Sequence, residues 1–413
     1  VLIVASLAPP ASAAEPNVWT LESATRRVLE LAPERRAAEA GVAAREAELR
    51  QAGSWPNPNI ELRDDDKLGL EDGRGGSDLT RAGISQPLPL RRLARQRTAA
   101  EAALRSTEAT RRAQQLQLEQ ETARVYHALQ LAAARFKLAQ DRLALATGYP
   151  DRAGERARRD PLVRYLTPLE QRRLAVLREE AQQAVLAAQR EYENAQTAFR
   201  ALLGLMPEAP VVAPLATPIA PSALAELERG LEAHPTVVSA QQDVEAARAG
   251  IAVAESQRFN DPELGVFRER DYLNNARRDV TAVELTVQIP LWNLNRGPVD
   301  KARAEAMRAQ ANLAAIRRDA QSRLRQSHTE LTRLLEQTER MRTKLLEPAR
   351  EVLDLTRRGF AGGESNILAL VDANNTYFDA QARYLEALRD AAQAAAGLRF
   401  AAGQSIVAGE VSP

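Results

Sequence analysis

The residue types that most often carry chemistry are few and scattered in this sequence. The three histidines, His127, His234 and His328, lie far apart, and cysteine is absent. Nucleophilic catalysis and the binding of zinc or cobalt depend on imidazole or thiolate groups at a defined spacing. The sequence also lacks a glycine-rich phosphate loop and a nucleophile elbow. We therefore predict a protein that is not an enzyme and that holds no cofactor and no resident metal.

The acidic run Asp64-Asp65-Asp66 and the single Asp372 each allow two interpretations. Asp64, Asp65 and Asp66 form a run that could hold a hard cation, because such ions prefer carboxylate oxygens. The run lacks the further ligands of a calcium loop, so an exposed loop explains it as well or better. Asp372 stands in a helical pattern, where a lone Asp is either a solvated charge or the ion-pair partner of a nearby Arg.

Charge and composition narrow the class of protein. The 56 Lys and Arg residues nearly balance the 55 Asp and Glu residues and are interspersed with them, so no basic face predicts a nucleic-acid partner. Aromatic residues make up only 4% of the 413, too few for a large globular core. An apolar content carried mainly by Ala and Leu is typical of long helices that pack side by side.

The start of the sequence indicates export. Residues 1–13 are apolar and end in Ala11-Ser12-Ala13, which fits the cleavage site of a secretory signal peptide. We interpret them as a signal peptide remnant, with a frayed apolar terminus as the alternative. No later apolar run approaches the ~20 residues of a transmembrane helix. If the protein crosses a membrane, the sequence predicts that it does so with strands.

The sequence also contains an internal duplication. Leu31-Ala32-Pro33 recurs as Ala233-His234-Pro235, segment 55–62 is echoed by 259–266, and Ser85-Gln86-Pro87-Leu88 is echoed by Gln288-Ile289-Pro290-Leu291. The copies lie about 202 to 204 residues apart. Three landmarks in register predict two structural repeats. We place them at 14–206 and 222–403, joined by a linker at 207–221 and followed by a C-terminal tail at 404–413.

Each repeat is predicted to contain one β-hairpin. In the second repeat Val283, Leu285, Val287 and Ile289 alternate with polar or small residues, the period of a strand with one apolar face. The predicted strands cover about 59–66 and 79–88 in the first repeat, and about 262–272 and 280–290 in the second. Strands of about 9 to 11 residues suit a tilted crossing of a bilayer.

Four strands cannot close a barrel. In lipid, each unpaired backbone group at the edge of an open sheet would cost several kcal/mol, so neighbouring chains would have to supply strands. Trp55 and Trp292 lie at the helix-proximal ends of the first and last strands, where membrane-interface aromatics are expected. The alternatives are that they cap a small core and that the sheet is soluble.

Long helices are predicted next to the hairpins. Segments 92–147 and 299–347 contain neither Gly nor Pro, and at about 1.5 Å per residue they would reach about 70 to 85 Å. Apolar residues at heptad and 3/4 spacing predict coiled-coil packing. Return helices over 169–203 and 365–396 are predicted to end near Gly204 and Gly397, because Gly readily takes the left-handed cap conformation.

With these landmarks in place, the sequence resembles the TolC-type outer-membrane factor family, and within it the cobalt-zinc-cadmium resistance channels. The motif that carries the resemblance best covers 360–381 and contains Gly362-Gly363-Glu364-Ser365 and Asp372-Ala373. Segments 55–58, 268–271 and 289–297 resemble the metal-resistance channels more loosely.

The resemblance implies a mainly helical fold with a small β part, a TolC-like trimeric tube built from coiled-coil helical hairpins. Twelve pooled strands would form one barrel in the outer membrane of a Gram-negative cell, and the helices would continue as a periplasmic tunnel. Gly362, Gly363, Glu364 and Ser365 would form the tip turn that contacts an adaptor, and Asp372 would line the channel constriction. A second acidic position found in some members falls here on Ala369. The other tip, 148–168, departs from the family pattern.

The function that the resemblance implies is that of a passive exit duct. The implied partners are two further copies of the chain, a periplasmic adaptor, an inner-membrane RND pump and outer-membrane lipid, and the expected cargo is heavy-metal cations. Two alternatives stay open: a similar duct for drugs or other small molecules, and a periplasmic coiled-coil adaptor or structural protein. Adaptors typically carry one helical hairpin flanked by small β domains, whereas this sequence predicts two hairpins and two strand pairs.

Overall fold

The computed structural model describes residues 18–64, 80–159, 167–204, 210–273, 276–362 and 364–407. The signal peptide remnant, Asp65, Asp66 and Gly363 lie outside these residues. Within them, the helices are α1 Leu21–Leu31, α2 Pro33–Ala52, α3 Arg92–Arg159, α4 Pro168–Leu202, α5 Leu224–Arg229, α6 Pro235–Ser256, α7 Arg296–Met341, α8 Glu347–Gly362 and α9 Ile367–Ala401. The strands are β1 Asn59–Asp64, β2 Thr80–Pro87, β3 Glu263–Leu273 and β4 Ala276–Thr286. The predicted fold class, mainly helical with a small β part, is confirmed.

The chain forms two compact units. The first comprises the described parts of 1–35, 114–231 and 321–413, and the second comprises those of 36–113 and 232–320. The first unit is wholly helical apart from an isolated bridge between Trp19 and Val212. The second contains the sheet.

The sheet of the second unit is an antiparallel meander in the order β1-β2-β3-β4. The pairing of β2 with β3 joins the hairpins of the two sequence repeats, with Ile84 opposite Val266 and Gly83 opposite Phe267. The other two ladders place Ile60 opposite Ile84 and Val266 opposite Val283. Because side chains alternate along a strand, this register puts the even-numbered residues of β1, β2 and β3 on the same face as the odd-numbered residues of β4.

The predicted strand at 280–290 is wrong by about four residues at each end. In the structure β4 covers Ala276–Thr286, and its last partner is Glu263, where β3 begins. Pro262 precedes Glu263 and has no N–H to donate, and its carbonyl accepts the N–H of Leu88 at 2.7 Å. The ladder with β4 ends where β3 begins, before Val287 and Ile289, although both stay exposed and continue the alternation.

Helices of the first unit pack through small and branched apolar side chains. One cluster brings α3, α4, α8 and α9 together through Ala146, Leu174, Leu177, Ala181, Leu353, Phe360, Ile367, Leu370 and Ala373. A second cluster lies around Val28, Leu129, Phe199 and Leu203. Each fully buried Leu or Phe contributes about 1.5 to 3 kcal/mol, so these clusters define how the helices associate.

The prediction of a tip turn starting at Gly148 is wrong. Helix α3 continues through Gly148 and Pro150 to Arg159, and α4 begins at Pro168 after the capping box formed by Thr167 and Glu170. A Gly in a helix interior costs about 1 kcal/mol and a Pro about 3 kcal/mol. Segment 151–159 is rich in Arg, Ala and Glu, which are strong helix formers, and it carries the helix beyond both residues.

The predicted helix ends at Glu347 and Gly397 are also wrong. Helix α7 passes through a π-helical segment, Arg342–Leu346, into α8, which contains Pro348 near its start. Helix α9 continues through Gly397 and ends before Gly403, which has φ of 71°. There the N–H of Gln404 bonds to the carbonyl of Arg399 at 2.8 Å, the long hydrogen bond of a Schellman motif. Gly204, with φ of 87°, lies just past the end of α4 as predicted.

Candidate functional site

One face of the sheet is apolar and exposed. Its exposed members are Ile60, Leu62, Ile84, Leu264, Val266, Val283 and Leu285. Exposure reaches 78% for Leu62 and 72% for Val283, so no described element of the chain covers this face. We call it the apolar sheet face. Exposed, contiguous apolar surface of this kind marks a site of interaction with a membrane or a partner.

The opposite face of the sheet carries an ion-pair network around one guanidinium. Arg81 on β2 pairs with Glu269 at 3.2 Å, with Glu61 at 3.8 Å and with Glu284 through a hydrogen bond. Nearby, Asn59 and Ser85 both donate to the carboxylate of Glu263. We call this the carboxylate sheet face, because it carries the four glutamates Glu61, Glu263, Glu269 and Glu284.

An aromatic ring lies beneath the network. Phe267 is only 3% exposed, and the guanidinium carbon of Arg81 lies 3.6 Å from the centre of its ring. The ring covers Gly83 on the neighbouring strand β2 and Gly265 on its own strand β3. A Cβ at Gly83 would lie 2.6 Å from the carbonyl oxygen of Val266 and 2.7 Å from Cγ of Phe267. The two glycines therefore leave the space that the ring fills.

Sequence reasoning missed Arg81, Gly83, Gly265 and Phe267. The signal was present, since a glycine in a strand often marks a close approach of another group. It could not be used without the register, because Gly83 and Phe267 are far apart in the sequence and become neighbours only when β2 pairs with β3.

The two candidate interface tryptophans lie where the chain leaves the sheet. Trp55 stands between α2 and β1 and is 58% exposed, and Trp292 stands between β4 and α7 and is 92% exposed. High exposure does not match the alternative that they cap a small core. Their role at a membrane interface remains a prediction.

The predicted tip turn joins α8 to α9 in the first unit. Helix α8 ends at Gly362, and the backbone N–H groups of Glu364 and Ser365 donate to the carbonyl of Gly359 at 2.8 and 3.1 Å. A Cβ at Gly359 would lie 2.6 Å from Oγ of Ser365. Gly359 was not predicted, yet it is the residue on which the turn closes.

Helix α9 starts with a side-chain cap. The Asn366 side chain accepts a hydrogen bond from the N–H of Ala369 at 2.9 Å, and Ile367 and Leu370 are buried next to it. Asp372 and Ala369 both lie on the exposed side of the helix. Arg142 on α3 donates instead to Asn375, at 2.7 Å. The structure thus leaves the carboxylate of Asp372 at the surface of the first unit, close in sequence to the tip turn.

The histidines have separate local roles. Nδ1 of His234 accepts the N–H of Thr236 at 3.2 Å and caps α6, and Nε2 of His328 contacts the carbonyl of Ser222 at 3.2 Å. Among the residues that the structure describes, no group of three or more His, Cys, Asp or Glu side chains could hold a metal ion. Asp64 ends β1, and the rest of its acidic run lies outside the described residues.

Partial burial favours the neutral form of His127 on α3. Burial lowers the pKa of His127, although a hydrogen bond of 2.7 Å to Gln130 favours the charged ring. Because its folded-state pKa lies below the unfolded value of about 6.5, this burial contributes its full stability above that pH. The contribution is lost progressively as the pH falls from there toward the lowered pKa.

No helix in the described ranges is both long and apolar enough to span a membrane.

Comparisons with known proteins show which proteins the chain is similar to. Residues 227–404 match the family described as outer membrane efflux protein. The chain is 26% identical over 263 residues to the cobalt-zinc-cadmium resistance protein CzcC of Cupriavidus metallidurans. That match covers 62% of this chain and 62% of CzcC, so it spans less than two thirds of the relative's length.

Solved structures extend the likeness to nearly the whole chain. CusC has a TM-score of 0.72 at 17% identity, covering 93% of this chain and 92% of its own. The open state of the MtrE outer membrane channel of Neisseria gonorrhoeae has a TM-score of 0.70 at 20% identity, covering 93% and 89%. These relatives are channel and transport proteins rather than enzymes. Residues 227–404 therefore match the outer membrane efflux protein family, and the chain as a whole has the fold of the TolC-type outer-membrane channels, as the sequence predicted.

Proposed function

We propose that this protein is the outer-membrane channel of a tripartite efflux system, a passive exit duct for heavy-metal cations across the periplasm and the outer membrane. Three copies form the duct. A periplasmic adaptor and an inner-membrane RND pump deliver the cargo to it. The Asp372 carboxylates of the three copies form a ring at its narrowest point.

The observation that carries this proposal is the two-faced sheet with open edges. Among the described strands, β1 and β4 each pair on one side only. In lipid the free edges would leave backbone groups unpaired, at several kcal/mol each. Pairing of β4 with β1 of the next copy removes both edges and turns the apolar sheet face toward lipid. The carboxylate sheet face then lines the interior.

The charges support a cationic cargo. Carboxylates on the interior face and a ring of Asp372 side chains would raise the local concentration of cations and repel anions. The name of the CzcC relative, a cobalt-zinc-cadmium resistance protein, supports metal ions in particular. We place ion selection in the pump, because a duct needs only to let the delivered ions pass.

The tip turn supports the proposed partners. Gly362, Glu364 and Ser365 are held between two packed helices, with the backbone of the turn fixed on Gly359. We propose that this turn, together with Gly363, contacts the adaptor. A preformed turn lowers the entropy cost of such a contact.

Conductance in planar lipid bilayers tests the proposal. The purified protein should form cation-preferring channels, and Asp372→Asn should weaken that preference and relieve block by Zn²⁺. A unit charge at about 4 Å contributes about 1 kcal/mol in water, so we expect the preference to fall about fivefold.

The matched control is Asp354→Asn, which removes the same charge from α8, where Asp354 pairs with Arg357 at 3.6 Å. It should leave the preference unchanged. An unaltered preference in Asp372→Asn would contradict the role of Asp372. Failure of the wild-type protein to conduct, or its recovery as a detergent-free monomer, would contradict the duct itself.

A further inference from the structure

Two arginines lie on the outer part of the apolar sheet face. Along β3 the face presents Leu264 and Val266 and then, at the next two positions of the same parity, Arg268 and Arg270. Two residues along a strand span about 6.6 Å. The guanidinium groups therefore adjoin the apolar surface on the side of the β3–β4 turn, away from Trp55 and Trp292.

The two arginines share one carboxylate. Asp279 on β4 accepts from Nε of Arg270 at 2.8 Å and from Nη2 at 3.3 Å, and from Nη2 of Arg268 at 3.4 Å. The three side chains carry a net charge of one positive unit. Asp279 holds the two guanidiniums beside each other, and the Arg268 side chain is still 73% exposed. Most of its five N–H donors remain open to a ligand.

The acidic residue between the two arginines in the sequence lies on the other face of the sheet. Glu269 stands between Arg268 and Arg270, but its side chain lies on the carboxylate sheet face, where it pairs with Arg81 at 3.2 Å. Glu269 therefore does not neutralise the two arginines, and Asp279 is the carboxylate that they share. The pairing with Asp279 accounts for only one of the two arginines, because a single guanidinium is enough to neutralise one carboxylate.

We propose that Arg268 and Arg270 bind the phosphate groups of a phosphorylated lipid in the outer leaflet. The inference rests on the proposed function, which turns this face toward lipid with the β3–β4 turn outward. Guanidinium groups bind phosphate oxygens in pairs, and basic side chains beside an apolar band meet the headgroups of anionic lipids. Val266 and Val283 contact the first part of the acyl chains, and the arginines contact the phosphates above them.

A binding titration of the detergent-purified protein tests the site. The probe is bis-phosphorylated lipid A, followed by native mass spectrometry. Its dephosphorylated form and inorganic phosphate are separate arms. We expect the double variant Arg268→Gln, Arg270→Gln to bind lipid A about tenfold more weakly or worse, because hydrogen bonds to charged groups are lost. Weak binding of the dephosphorylated lipid and of inorganic phosphate is expected for the wild type.

The matched control is the double variant Arg258→Gln, Arg296→Gln. It removes the same charge from exposed positions before β3 and after β4, at the other end of the sheet. Equal losses in the two double variants, no loss in the first, or equal binding of both lipid forms would overturn the site. Inorganic phosphate that displaces the lipid at equal concentration would overturn the choice of a lipid.

Bilayer conductance keeps the two proposals apart. The variant that loses lipid A should still form channels, because neither arginine lies on the carboxylate sheet face. If the double variant does not assemble, Arg268→Gln alone provides the same test, since its single contact with Asp279 is the longest of the three.

Discussion

Gly83 is the residue on which the interior of the sheet depends most directly. Its lack of a side chain lets Phe267 lie across β2, and the ring in turn supports the guanidinium of Arg81. Three carboxylates converge on that guanidinium. The packing of Phe267 and the position of the Arg81 charge on the carboxylate sheet face therefore both depend on the absence of a side chain at Gly83.

We predict that Gly83→Ala destabilises the protein by about 1 to 3 kcal/mol, the usual cost of forcing extra atoms into a packed site. The added Cβ would lie 2.7 Å from Cγ of Phe267. Gly41→Ala is the control, because nothing lies within 4 Å of its Cβ in helix α2. It should stabilise the protein by about 0.5 to 1 kcal/mol. Thermal unfolding followed by tryptophan fluorescence measures both, and equal effects would contradict the role of the ring.

Among the elements, the joined helices α7 and α8 depart most from the expected form. The π-helical segment Arg342–Leu346 contains the hydrogen bond from the N–H of Glu347 to the carbonyl of Arg342, one residue longer than in an α-helix. Pro348 follows directly and has no N–H of its own. Arg342 bridges the segment through Glu339 at 2.7 Å and Glu347 at 2.5 Å. The side-chain hydrogen bond between Arg342 and Glu339 lowers the pKa of Glu339 and raises the pKa of Arg342.

We predict that the π-helical segment accommodates Pro348. Deletion of Lys344 should convert the segment to an α-helix and leave Leu353 and Phe360 in their cluster, because a π turn holds one extra residue. With Pro348 present the deletion should cost about 3 kcal/mol, the cost of Pro in a helix interior. With Pro348→Ala it should cost little. The apparent melting temperature of each variant measures the difference.

Deletion of Arg333 is the control for this prediction. It removes a residue from the regular part of α7, between the buried residues Leu331 and Thr338. Each residue turns an α-helix by about 100°, so buried leucines on one side would leave the core at about 2 to 5 kcal/mol each. If both deletions are equally harmful in the Pro348→Ala protein, the π segment is not an accommodation of the proline.

The sequence predicts which helices and strands form better than it predicts where they end or which residues they contact. The four strands, the long helices and Gly204 follow from periodicity and from cap chemistry. The end of β4 depends on where its partner β3 begins, and the continuation of α3 past Pro150 depends on helix formers that lie beyond it. The Arg81 network was invisible for the same reason, since it assembles from all four strands.

At the scale of the whole molecule, the sheet joins the hairpins of the two predicted sequence repeats. The β2–β3 ladder is the joint, and it sets Ile84 opposite Val266. In the repeat alignment Ile84 corresponds to Val287, and Val266 corresponds to Leu62, with offsets of 203 and 204 residues. If β4 meets β1 of the next copy as β2 meets β3, Val287 lies opposite Leu62 of that copy.

Paired cysteines test this register, because the natural chain has none. Val287→Cys with Leu62→Cys should form disulfide-linked oligomers on a non-reducing gel, since opposite Cβ atoms in an antiparallel ladder lie about 4.5 to 5.5 Å apart. Val287→Cys with Glu61→Cys puts the thiols on opposite faces and should stay unlinked. Equal linkage of the two pairs would show a different register.

The same ladder accounts for the unpaired stretch of chain after Thr286. Val287 and Ile289 pair with no strand among the described residues, yet a neighbouring β1 would reach them as β3 reaches Ile84 and Gln86 on β2. In a trimer, the three β2–β3 ladders within the chains and the three β4–β1 ladders between chains would then share one geometry. A duplicated gene would have needed no new interface to build a closed ring, only a second use of the one it already encoded.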